Sequence, residues 1–158
     1  AKADSLVVYA RGKLVLWSAK PIMKSTLKAT LLGAQRIAMA NPKLAPYGKA
    51  AAESLHSLGI WSNIKNKLVM GENISQTYQF VYSQNAEAGL VALSQVVAGH
   101  LDGYLQPVPE KLHRQIEQAA VVLTNTTQTR QATAFMAFLM RPDIQQKIIQ
   151  FGYSAKHP

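Results

Sequence analysis

The chain has no cysteine, which excludes disulfide frameworks, thiolate zinc sites and cysteine nucleophiles. It is poor in acid, with eight Asp and Glu against seventeen Lys and Arg over 158 residues. Charged residues of both signs make up only 16%, below the roughly 25% usual for soluble proteins. With 48% hydrophobic residues, the composition argues against disorder. It suffices for one sizeable core, or for one lobe with a remnant of another. No apolar run approaches the ~20 residues of a membrane span. Ala1-Lys2-Ala3-Asp4 carries no apolar signal core, so export is not readable there. There is no phosphate-binding P-loop, no dinucleotide-binding glycine fingerprint and no nucleophile elbow.

The shortage of acid is concentrated at the front. Residues 1–50 hold nine Lys or Arg and one acid, Asp4, whereas residues 51–158 hold eight basic and seven acidic residues. Such a balance favours an anionic partner: a nucleic acid, a membrane surface or a small anion. The basic residues (Arg11, Lys13, Lys20, Lys24, Lys28, Arg36, Lys43, Lys49) are scattered singly, as on a solvated face. A nucleic-acid binder would show a basic stripe with interleaved aromatics, and none is evident. His56, His100, His113 and His157 never fall three or four apart, so a structural or solvated role fits them better than metal ligation. Glu110 and Glu117, on one helix or its exit, read as a solvated face rather than an acid/base pair. No catalytic constellation is present.

What is present is alternation. Ser5–Tyr9 and Lys13–Ser18 are β-rich and are separated by a break at Arg11-Gly12. Met23–Leu32 has helical spacing, Arg36–Ala40 is a short apolar strand, and Tyr47–Leu58 is an Ala-rich helix closed by Gly59. Lys67–Met70 reads as strand, Ile74–Ser83 as helix and Gly89–Leu93 as a buried strand. This order predicts βαβ units, a mostly parallel sheet and helices on both of its faces. The last third differs. Tyr104–Val108 and Ala119–Leu123 look extended around a helical or turn-like Glu110–Ile116. Beyond the polar break Asn125–Thr127, Arg130–Met140 and Asp143–Phe151 read as two helices with apolar stripes in need of a surface.

Two strand-to-helix loops carry potential chemistry. In Asn41-Pro42-Lys43-Leu44-Ala45-Pro46-Tyr47-Gly48, Pro46 suits a first helical turn, which would leave the Tyr47, Gly48 and Lys49 amides open. In Gly71-Glu72-Asn73-Ile74-Ser75, Asn73 is a natural N-cap ahead of the Ile74 and Ser75 amides. A helix start offers free N–H donors and the positive end of the dipole, which suits an anion. In an open α/β sheet such loops lie at the carboxyl edge, where ligands bind. The pattern equally fits two ordinary capped helices.

At these loops the chain resembles the substrate-binding proteins of bacterial molybdate ABC importers. The matching stretches are Tyr9-Ala10-Arg11-Gly12-Lys13-Leu14-Val15-Leu16-Trp17-Ser18, Ile37-Ala38-Met39-Ala40-Asn41-Pro42 with Ala45-Pro46-Tyr47-Gly48, and Gly71-Glu72-Asn73-Ile74-Ser75-Gln76. Further on come Gly89-Leu90-Val91-Ala92-Leu93-Ser94-Gln95, Val108-Pro109-Glu110-Lys111-Leu112-His113, and Phe138-Leu139-Met140-Arg141-Pro142 through Phe151-Gly152-Tyr153. The resemblance covers essentially the whole chain and rests on the order and spacing of these pieces.

It implies a type II-like periplasmic binding protein with two hinged α/β lobes. These grip molybdate or tungstate with hydroxyls and backbone amides and use no resident cofactor or metal. The implied role is non-enzymatic capture in the periplasm and delivery to a membrane permease. Tyr47 and Ile74 are the implied ligand residues, mainly through their backbone N–H groups. Some members add a tyrosine hydroxyl from the strand that here reads Gly89-Leu90-Val91-Ala92; Ala92 stands in its place. Members also have a further stretch before Ser5, forming most of a first lobe with a serine or threonine pair. By that comparison residues 1–124 are the second lobe with its hinge strands, and 125–158 a helical segment returning to the first. The chain alone is then expected to bind molybdate weakly or not at all, and to cover its tail helices by dimerising or swapping. Another oxyanion such as sulfate, or an effector-sensing domain of a transcription regulator with the same fold, remain the alternatives.

Overall fold

A computed structural model describes residues 5–22, 26–99 and 102–155. Ala1–Asp4, the beginning of the Met23–Leu32 segment with Lys24, His100 and His157 lie outside the described residues. The chain divides into two compact units, residues 13–116 and residues 1–12 with 117–158.

The first unit is built on a five-stranded sheet. Its strands are β2 (Leu14–Ser18), β3 (Ile37–Ala40), β4 (Leu68–Gly71), β5 (Ala88–Ala92) and β6 (Tyr104–Pro107), in the order β4-β3-β5-β2-β6. β3 runs parallel to β4 (Ala40 opposite Gly71) and to β5 (Met39 opposite Leu90). β2 alone is reversed, pairing antiparallel with β5 and β6. The sheet is therefore mixed, with four of its five strands pointing one way.

Strand alternation sends side chains to both faces, and both are covered. Leu14, Leu16, Ile37, Met39 and Leu90 lie in one buried cluster with residues of α1 (Leu27–Gly33), α2 (Pro46–Ser57) and α3 (Trp61–Ile64). Val15, Trp17, Ala38 and Val91 pack on the other side with Val81 of α4 (Ile74–Tyr82) and Val96 of α5 (Leu93–Ala98). On that side Trp17 stacks on Tyr78 at 5.4 Å between ring centres. The expected βαβ alternation and the helices on both faces are thus observed. α3 and α5 are additional, too short for a periodic signal to show. The Glu110–Ile116 stretch keeps only a short 3-10 turn, Glu110–Leu112.

The second unit joins β1 (Val7–Gly12) and β7 (Ile116–Ala120) as a two-stranded sheet beside α6 (Thr129–Leu139) and α7 (Pro142–Gln150). β1 runs through Arg11-Gly12, where a break was expected. The cause is non-local: the Arg11 and Ser154 backbones exchange N–H···O bonds of 3.0 and 2.8 Å. The Gln145 amide donates to the Tyr9 and Leu139 carbonyls, tying α7 to β1 and to the end of α6. Because β7 pairs with β1, residues 117–124 group with the C-terminal helices, whereas the sequence suggested a boundary at 124–125. Phe135, Phe138 and Phe151 remain 58%, 40% and 58% exposed.

Candidate functional site

The parallel pairing of β3 and β4 ends in register, with the Asn41 N–H donating to the Gly71 carbonyl at 2.7 Å. The two loops singled out in the sequence therefore leave the sheet side by side, at the carboxyl ends of neighbouring strands. α2 and α4 both begin there.

The first loop is held by Asn41. Its side-chain oxygen accepts the Lys43 N–H (2.9 Å), and its carbonyl accepts the Leu44 and Ala45 N–H groups (3.0 Å each). Ala45 is extended and caps α2 without a side-chain bond, and Pro46 follows as the first helical residue. The Lys49 N–H donates to the Ala45 carbonyl at 3.0 Å, so the expectation that it would be open is corrected. An i to i−4 bond has already begun at the fourth helical position. Tyr47 stands at the second position and is only 8% exposed, inside the same buried cluster as Ala92, against which Ile74 also packs.

The second loop is held by Asn73, whose side chain accepts the Gln76 N–H at 2.9 Å, the N-cap bond expected from sequence. Its carbonyl accepts both the Thr77 N–H (3.2 Å) and the Thr77 hydroxyl (2.9 Å). The Gln76 side-chain oxygen takes the Glu72 N–H at 2.7 Å. The Ile74 and Ser75 amides, at the first two helical positions, have no acceptor among the described residues.

Two glycines make this close packing possible, and sequence reading missed why. A Cβ on Gly48 would strike the Ala40 carbonyl oxygen and stand 2.7 Å from the Ala40 carbonyl carbon. A Cβ on Gly71 would come within 2.6 Å of the Thr77 hydroxyl oxygen. Each helix start thus rests directly on a strand end. Gln76 and Thr77 were also missed, although Asn73-x-x-Gln76 has capping-box spacing and was legible in principle.

The electrostatics suit an anion. Neither α2 nor α4 has an acidic residue in its first turn, where Asp and Glu are ordinarily favoured; α7, outside this site, has Asp143 there. No group of three or more His, Cys, Asp or Glu among the described residues could hold a metal ion. His56 stacks on Trp61, and His113 Nδ1 bonds the Arg114 carbonyl oxygen at 2.7 Å. Glu110 begins the 3-10 turn and Glu117 lies beyond its exit, on β7. Glu53, on α2, accepts the Arg114 backbone N–H (2.8 Å) and its Nε (2.9 Å). These bonds, the backbone one foremost, hold its carboxyl below its ordinary range.

A mixed α/β sheet that presents two helix starts at one carboxyl edge is shared with solved type II periplasmic binding proteins, and that is the fold class of this chain. The family model for bacterial extracellular solute-binding proteins matches residues 1–154, and the chain belongs to that family. It is 42% identical over 146 residues to the molybdate-binding protein ModA of Rhodobacter capsulatus, covering 92% of this chain and 58% of that protein. It is 43% identical over 158 residues to ModA of Azotobacter vinelandii, covering 96% and 62%. The solved periplasmic molybdate-binding protein of Azotobacter vinelandii superposes with a TM-score of 0.90 at 32% identity, over 99% of this chain and 71% of that one. The chain thus spans about three-fifths of the length of the curated relatives it matches.

Proposed function

We propose that this chain supplies one side of an oxyanion clamp in the substrate-binding component of an ABC importer for molybdate or tungstate. The observation that carries this is the pairing of two acid-free helix starts at one sheet edge, in a chain 42–43% identical to two ModA proteins. Tyr47 and Ile74 are the contact positions, acting through backbone N–H groups. A tetrahedral dianion is satisfied there by neutral donors, without a counter-ion, resident cofactor or metal. The name of the solved Azotobacter vinelandii protein supports capture in the periplasm, and delivery to a membrane permease completes the same reading. The exposed Phe135, Phe138 and Phe151 of the smaller unit support self-association of the chain.

Ile74→Pro tests the amide directly. Proline at the first helical position removes one N–H without breaking the helix, and Asn73, extended at φ −145° and ψ 174°, is already in the conformation that a following proline requires. A hydrogen bond to a charged group contributes about 1.5–3 kcal/mol, so affinity should fall roughly ten- to one-hundred-fold. Calorimetry with sodium molybdate, tungstate and sulfate, on this chain and on the intact gene product, reads the result. Binding of molybdate or tungstate but not sulfate, weakened by Ile74→Pro, supports the assignment. An intact gene product that ignores both oxyanions overturns it.

A further inference from the structure

We infer that Gln76 is the positioning residue of this site, and that its being an amide rather than an acid keeps the first turn of α4 free of negative charge, so that Glu72, ahead of the N-cap, is the sole carboxylate of this loop. The inference rests on the oxyanion reading above. The Gln76 side chain folds back over the first turn of α4, and its Oε1 accepts the Glu72 N–H at 2.7 Å. Its own N–H is taken by Asn73 Oδ1 at 2.9 Å. With the Thr77 N–H committed to the Asn73 carbonyl, the Glu72, Gln76 and Thr77 donors around this turn are engaged inside the loop. The consecutive Asn73, Ile74 and Ser75 amides have no acceptor among the described residues and lie between the bonded Glu72 and Gln76 amides.

The same back-bond could be made by glutamate, which capping boxes use as readily as glutamine. Glutamate would even gain from the helix dipole. A carboxylate there, however, would lie within one turn of the Ile74 and Ser75 amides and repel a dianion. The neutral acceptor does the mechanical work without that repulsion. Fold stability and anion binding therefore prefer different residues at position 76, and this separates a positioning role from a merely structural one.

Two substitutions and two readouts test this. In Gln76→Glu the acceptor is retained. Thermal stability should hold or rise, while molybdate affinity measured by calorimetry falls at least tenfold, with a loss that shrinks as sodium chloride is raised. In Gln76→Ala the acceptor is lost. Affinity should fall several-fold with no such salt dependence, and the Glu72 amide should lose its protection in hydrogen-exchange NMR. Protection is read without ligand: Glu72 protected and Ile74 and Ser75 unprotected in the parent chain supports the inference, and equal exchange at all three overturns it. Gln76→Glu binding molybdate as tightly as the parent also overturns it. An intact gene product that shows the protection pattern but binds no oxyanion overturns the charge half of the inference along with the function reading, and supports the positioning half.

Discussion

Replacing Gly48 with alanine sets two physical effects against each other. Alanine is favoured over glycine within a helix by about 0.5–1 kcal/mol, so propensity alone predicts a more stable protein. The packing predicts the reverse. The added Cβ would meet the Ala40 carbonyl group, 2.7 Å from its carbon, and would stand 2.8 Å from the Asn41 carbonyl carbon, where ordinary contact begins at 3.4 Å. Those atoms are backbone and cannot swing aside. Ala40 lies on β3, held between β4 and β5, and the Asn41 N–H is bonded to Gly71. α2 must therefore retreat by roughly 0.7 Å or more, and overpacking of this kind costs about 1–3 kcal/mol. The net expectation is a loss of about 1–2 kcal/mol, which lowers the urea midpoint by roughly 0.5–1 M at ordinary slopes. Because Tyr47 moves with the helix start, molybdate affinity should fall as well. Gly59→Ala is the matched control. It lies at the other end of α2 with φ +67° and nothing within 4 Å of its Cβ position, so it should lose stability through backbone strain alone and leave binding unchanged. An unchanged or higher midpoint for Gly48→Ala would refute the claim that the helix start rests on the strand end.

Asn73→Ala removes the N-cap bond of α4 and should cost about 1 kcal/mol in urea unfolding, with a further loss of oxyanion affinity as the loop loosens. Glu53→Gln should flatten the acid limb of the stability profile. The folded-state pKa of Glu53 is depressed, so its stabilisation is complete above its ordinary value near 4.5 and is lost as pH falls through the lower folded value; a parent and variant whose thermal midpoints decline in parallel below pH 4.5 would contradict this. Phe135 and Phe138 stack at 6.1 Å on an exposed face of α6, so Phe135→Lys with Phe138→Lys should shift multi-angle light scattering toward the monomer, whereas an equally monomeric parent would remove the case for self-association.

The sequence by itself determined the α/β alternation of residues 13–98, because apolar periodicity and short connections are local properties. It also identified both anion-friendly helix starts, since Pro46 and Asn73 mark helix entry by their own backbone and hydrogen-bonding chemistry. The order and spacing of its motifs pointed to the molybdate-binding proteins. Other features depended on distant residues. Only the in-register pairing of Ala40 with Gly71 brings the two helix starts to one edge, and strand pairing is a long-range choice. Even over a short range, only the folded loops explain why positions 48 and 71 must be glycine, because the clashing Ala40 carbonyl and Thr77 hydroxyl lie beyond their immediate chain neighbours and are brought close by the turn from strand into helix. The partnership of β1 with β7, and the Arg11–Ser154 bridge that carries β1 past its expected break, likewise join residues more than a hundred positions apart. Local pattern set which donors exist. The sheet's pairing decided where they point.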